Sequence, residues 1–204
     1  MTSQTPFIVV DLETTGLIPS LDRIIEFAAV KVVDGKIVEE WHSLVNPGIF
    51  VPAEVTHFTG ITTEMLEDSP SFEDLIDAFL GFMGEEAIFV AHNVDFDREF
   101  INSHLKKWEK EPMNNPYLCT VDLAKKVHPN LSKYNLGFLA ETFGVELPQA
   151  HRALHDAKAT AELLLKFLKV LENGGLRQIK DIPGLKNLPR VEVAPASQGQ
   201  GSLF

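Results

Sequence analysis

The chain has 204 residues, a length that fits one domain with a short appendage rather than two full domains. Hydrophobic residues make up 45% and charged residues 23%, enough apolar mass for a packed core, so wholesale disorder is excluded. The formal net charge of -11 is uneven, because residues 173 to 204 carry Arg177, Lys180, Lys186 and Arg190 against Asp181 and Glu192. An acidic body argues against holding a polyanion by charge alone, yet it leaves room for a divalent cation that would reverse the local field. No run approaches the roughly 18 apolar residues of a membrane span, and the start, MTSQTPFIVVD, lacks the build of a secretion signal. A cytoplasmic protein with no membrane partner is expected. The single Cys119 excludes an intrachain disulfide and a multi-cysteine zinc site, so any metal would rest on oxygen and imidazole.

FIVVD at 7–11 is an apolar, β-branched run that ends in a carboxylate before TTG, and it predicts a buried strand. At 24–45, IIEFAAVKVVDGKIVEEWHSLV sets Asp34-Gly35 between two strand-forming runs, the pattern of a hairpin. Ser71, with Asp74 three positions on, opens FEDLIDAFLGFM as a capped amphipathic helix. AIFVA at 87–91 predicts a second buried strand. From Asp95, residues Phe96, Phe100, Ile101, Leu105 and Trp108 share one face of a helix that ends before Pro112. A strand or extended segment follows, then short helices at 120–127 and 136–143 and a long one over 153–172, with Gly174 and Gly175 beyond it. This order packs best as a mixed sheet flanked by helices. Past residue 175, prolines, glycines and the run SQGQG leave little to bury and predict a linker or flexible tail.

Asp11 and Glu13 stand two apart on the first strand, so they project to one side at its carboxyl end, where ligands of open α/β sheets bind. They read either as solvated turn residues or as a pair that needs a cation between them. Asp95 and Asp97 lie at a helix start, where the macrodipole favours anions. Of the two, Asp95 reads as the cap and Asp97 as freer to face the sheet edge. His151 and Asp156 are five residues apart, about 140° around a continuous helix, so both reach one site only if His151 lies in the loop before it. Pro148 favours that loop, and His155 competes for the same place.

These residues fall in three motifs, DLETTG (11–16), HNVDFD (92–97) and HRALHD (151–156). In this order they resemble the exonuclease motifs of the DEDDh family, which includes the epsilon proofreading subunit of bacterial DNA polymerase III and ribonuclease T. The resemblance covers about residues 7–171 and implies an α/β, ribonuclease H-like fold, with a mixed five-stranded sheet flanked by helices. It implies that Asp11, Glu13, Asp97 and Asp156 bind two divalent cations, Mg2+ or Mn2+. It further implies that His151 is the general base in hydrolysis of phosphodiester bonds at a nucleic-acid 3' end. Oxygen ligands suit hard cations, and two ions about 4 Å apart can hold the attacking and leaving oxygens together. A histidine with a pKa near 6.5 can take a proton from water at neutral pH. Thr14 is carried over as a contact of the terminal 3'-OH and Phe96 as a neighbour of the terminal base. THFTGIT (56–62) resembles the family's His-Gly-Ile-Thr loop with Phe58 and Thr59 inserted, so His57 is either a substrate contact or an ordinary loop histidine. Cys119-Thr120 stands where many relatives have Asp-Thr, so an auxiliary carboxylate is missing there.

The last five residues, with Gln200, Leu203 and Phe204, resemble the pentapeptide by which bacterial replication and repair proteins dock on the sliding clamp. Leu203 and Phe204 would enter an apolar pocket while Gln200 makes polar contacts. The expected organisation is an exonuclease domain at 1–174, a flexible linker at 175–199 and a clamp-binding peptide at 200–204. The leading expectation is a metal-dependent 3'-5' exonuclease on DNA, in replication proofreading or repair, with a DNA polymerase subunit as a further partner. The rival substrate is RNA. The rival class is an inactive exonuclease-like module that only recruits a partner to the clamp.

Overall fold

The computed structural model describes residues 5–188. In chain order the elements are β1 (Phe7–Thr14), β2 (Ile24–Val33), β3 (Lys36–Leu44), α1 (Ala53–Thr59), α2 (Thr63–Leu66) and α3 (Phe72–Met83). They continue with β4 (Ile88–Ala91), α4 (Val94–Lys107), β5 (Tyr117–Cys119), α5 (Thr120–Val127), α6 (Leu136–Phe143), α7 (Ala153–Asn173) and a short 3-10 turn at Ile179–Asp181. The strands form one sheet in the order β3-β2-β1-β4-β5. β2 pairs antiparallel with β1 and β3 antiparallel with β2, whereas β4 joins β1 and β5 joins β4 in parallel, so the sheet is mixed.

Each element follows from local chemistry. Asp34 and Gly35 both take positive φ, 49° and 74°, the turn whose twist matches a two-residue hairpin. Ser71 and Asp74 form a reciprocal capping box that starts α3. On one face of the sheet Phe7, Val9, Val30 and Val90 pack under Leu163, Leu164 and Phe167 of α7, with α5 and α6 outside. On the other, Ile8, Val10, Phe27 and Phe89 pack under Ile76 and Phe79 of α3 and Phe100 and Ile101 of α4. The alternation along β1 therefore splits the two cores and sends Asp11 and Glu13 to the α7 side.

A register shift between Glu13 and Thr14 leaves Ile25 as an extra residue on β2. Ile25 heads a small separate core with Val51, Ile61 and Leu66. That core seats α1 and α2, two short helices the sequence pattern does not predict. The chain also stays on the domain after α7. Ile182 is buried in the main cluster, Leu176, Ile179 and Leu185 pack against it, and Lys186 bridges antiparallel to Tyr117. Residues 176–188, expected as the start of a linker, are thus part of the packed domain. The remainder of the expected linker, from 189 to 199, and the expected clamp peptide at 200–204 lie outside the described residues. Among the described residues no helix is long and apolar enough to cross a membrane.

Candidate active site

Three elements converge at the carboxyl end of β1. Asp11 and Glu13 come from β1, Asp97 from the first turn of α4, and Asp156 from the first turn of α7. Asp97 and Asp156 are buried, 4% and 9% exposed, and Asp11 and Glu13 are partly so. Asp95, the alternative to Asp97, is exposed. Neither carboxylate caps α4, whose first helical residue follows Asn93 in a left-handed conformation, φ 76°.

His151 lies in the loop before α7, also left-handed, with φ 63°. Its N–H donates to Asp156 Oδ2 at 3.2 Å, which folds the loop back over the helix start. As a result one ligand atom each of Glu13, His151 and Asp156 lie within 4.8 Å of one another. His155 turns instead toward the Gln149 carbonyl, 3.3 Å from Nδ1.

The cluster is electrostatically costly without a cation. Burial, then the charges of Asp97, Asp156 and Glu13, hold Asp11 well above the usual carboxylate range. Burial pushes Asp97 up in the same way, against the opposing bonds from its own amide and that of Leu12. Burial and Asp156 raise Glu13 to about 8, with Arg152 pulling the other way. Burial raises Asp156 to about 6, against the bond from the His151 amide. Asp156 Oδ1 is buried with no hydrogen-bond partner among the described residues. A buried acceptor without a donor, beside carboxylates that repel one another, is what a divalent oxygen-seeking cation would satisfy, so the donor set fits such an ion.

The other expected contacts surround this cluster. The Thr14 hydroxyl donates to Gly16 O at 2.6 Å and keeps its lone pairs free to accept. Phe96 is half-buried, tilted on Phe100 at 4.8 Å. His57 is exposed in the last turn of α1 and does not join the carboxylates. Between His57 and His151 stands Phe58, 65% exposed, its ring 5.6 Å from the first imidazole and 6.1 Å from the second. Cys119 and Thr120 are buried, and Thr120 Oγ1 meets His92 Nδ1 at 2.9 Å, so this position supports the second motif from behind.

Sequence reasoning does not single out Phe58, Glu26 or Arg152. Glu26 is 1% exposed and sits directly across the ladder from Glu13. Burial pushes its carboxyl up, but bonds from His42, Arg152 and the Ala153 amide outweigh that and hold it at about 2. The signal was a lone charge inside the apolar run IIEFAAV.

The family model described as "Exonuclease" matches residues 8–164. The chain is 44% identical over 165 residues to DNA polymerase III subunit epsilon of Aquifex aeolicus (strain VF5), covering 81% of each protein. It is 40% identical over 181 residues to the PolC-type DNA polymerase III of Thermotoga petrophila, covering 89% of this chain but only 13% of that protein. Among solved structures, "Exonuclease X in complex with 5' overhanging duplex DNA" has a TM-score of 0.69 at 30% identity, over 86% of this chain and 96% of that one. Exonuclease I shares the fold at 22% identity, with a TM-score of 0.72 over 83% of this chain and 43% of that one. Its sheet and flanking helices are those of the ribonuclease H-like exonucleases. The family match over residues 8–164, together with an epsilon-subunit relative covered over 81% of its length, means that this chain belongs to the exonuclease family.

Proposed function

We propose that this chain is a metal-dependent 3'-5' exonuclease that removes nucleotides from DNA 3' ends in replication proofreading or repair. The observation that carries the reading is the convergence of four carboxylates from three elements with an exposed histidine beside them. DNA is favoured over RNA because two relatives are DNA polymerase III proteins and the Exonuclease X structure holds duplex DNA. Asp11, Glu13, Asp97 and Asp156 would hold two divalent cations, Mg2+ or Mn2+. Bound there, the cations would supply positive charge for the scissile phosphate and the leaving 3'-oxygen.

The chain's own groups do the rest. The His151 imidazole takes the proton of the attacking water, and its exposure lets that proton pass on to solvent. Thr14 accepts from the terminal 3'-OH, while Phe96 and His57 border the terminal nucleotide. Gln200, Leu203 and Phe204 dock on a sliding clamp, with residues 189–199 as tether, so effective concentration rather than charge brings an acidic enzyme to its substrate. A DNA polymerase subunit is the further partner and the cytoplasm the setting. Digestion of labelled single-stranded DNA, mismatched duplex DNA and RNA, with magnesium and with chelator, tests the reading. Stepwise shortening of DNA from the 3' end that needs the metal is expected. Preference for RNA, or no cleavage of any substrate, would overturn it.

A further inference from the structure

His151 occupies a left-handed backbone conformation that favours glycine, and such strain persists only where neighbours over-determine it. Two clamps bracket it. On the near side Asp156 Oδ2 takes its N–H. On the far side Glu26 takes the next two residues. Arg152 donates from Nε at 3.2 Å to each Glu26 oxygen and from Nη2 to Oε1 at 2.9 Å, and the Ala153 N–H donates to Oε2 at 2.9 Å. His42 Nε2 completes the set at 2.8 Å from Oε1. The first turn of α7 has no side-chain cap of its own, so a buried β2 carboxylate does the capping across the fold.

We propose that Glu26 is a positioning residue, which by holding Arg152 and the Ala153 amide fixes the His151 backbone so that its ring stays beside Glu13 and Asp156. The assignment rests on His151 being the base. Glu26 touches neither the cation cluster's ligand atoms nor, by this account, the substrate. A fork-shaped guanidinium gripping both oxygens constrains rotation as well as distance, which a single bond would not.

The test uses the full chain with manganese. Glu26→Gln keeps the volume but opposes amide hydrogens to those of Arg152, and Arg152→Lys, at a partly exposed residue, keeps the charge and loses the fork. Each is expected to lower kcat on a short single strand by about 10²-fold, the scale of a small misplacement of a reacting group, with KM unchanged within a factor of two. In a His151→Ala background Glu26→Gln is expected to add less than a threefold further loss. Hydrogen exchange reads the clamp without activity, and the Ala153 amide is expected to exchange at least tenfold faster in Glu26→Gln while sheet amides keep their protection. Unchanged exchange at Ala153, or losses in the double variant that simply multiply, would overturn the proposal. Full activity of His151→Ala alone would remove the base assignment instead, and the exchange result would still decide whether Glu26 holds the loop.

Discussion

Replacing Asp156 by Asn should stabilise the metal-free protein while destroying its activity. The ordinary carboxyl value is 3.8, and burial raises it to about 6 in the fold. At about 1.4 kcal/mol per pKa unit, ionising this group in the native state costs ~3 kcal/mol at pH 8. The sign follows from the direction. A group whose folded pKa lies above its unfolded one loses its contribution as pH rises through the folded value, so the penalty is absent below about 4 and complete above about 6. Asn keeps an oxygen for the His151 amide and carries no charge. In chelator at pH 8 the variant should melt roughly 6–12 °C above the wild type, at 2–4 °C per kcal/mol for a chain of this size. By pH 4.5 the advantage should shrink to about 1 kcal/mol. Saturating manganese, worth about 2.7 kcal/mol at a hundred times its dissociation constant, should lift the wild type and close the gap. Thermal melts by circular dichroism at the two pH values, with and without metal, measure all of this. A variant that melts no higher than wild type in chelator at pH 8, or an advantage equal at both pH values, would refute the reasoning.

His151→Ala should lower the cleavage rate by roughly two to four orders of magnitude yet keep the manganese-dependent rise in melting temperature. His155→Ala should cost less than about tenfold, because that ring is turned to the Gln149 carbonyl; single-turnover assays on one oligonucleotide compare the two, and a larger loss at His155 would reverse the assignment. Asp11→Ala should abolish cleavage at any metal concentration without lowering the melting temperature in chelator, since it relieves repulsion from Asp97, Asp156 and Glu13. Changing Leu203 and Phe204 to Ala should leave digestion of short strands unchanged and weaken sliding-clamp binding at least tenfold by calorimetry, because apolar anchors dominate such peptides; equal binding would remove the clamp assignment.

Much of the fold was legible because its signals are local. Asp34-Gly35 and the Ser71–Asp74 box each state a structure within four residues, and both are realised. What was missed lacks a local period. The apolar residues of the α1–α2 region, Val51, Val55, Ile61 and Leu66, make sense only with Ile25, turned out of β2 by a bulge. Leu176, Ile179, Ile182 and Leu185 recur every third residue, a period that is neither the 3.6 of an α-helix nor the 2 of a strand, and Gly and Pro between them read as linker until α5 and α7 supply a surface. The site shows the same division. Asp11, Glu13 and Asp97 could be picked by motif and strand end. The preference for Asp97 over Asp95 rested on a helix cap that Asp95 does not make, although Asp97 is the buried one of the two, and Glu26 was hidden because its partners His42 and Arg152 lie 16 and 126 residues away.

The costs in this domain are concentrated at one place. Four carboxylates sit with raised pKa values, one oxygen of Asp156 is buried without a donor, and His151 holds a backbone angle that favours glycine. Elsewhere among the described residues the exceptions are scattered single groups, such as the left-handed Glu109 and the unpaired His92 Nε2 and Thr160 Oγ1, while pattern, turn chemistry and packing otherwise agree, as a chain that folds to one state requires. Nothing in the sheet demands these violations, since β1 could end in Ser or Thr and α7 could begin on a neutral cap at lower free energy. A module that served only to recruit a partner would carry the penalty with nothing to offset it. A cation bound between the carboxylates would offset it directly, and the proposed catalysis would give the histidine a reason to stay where it is strained.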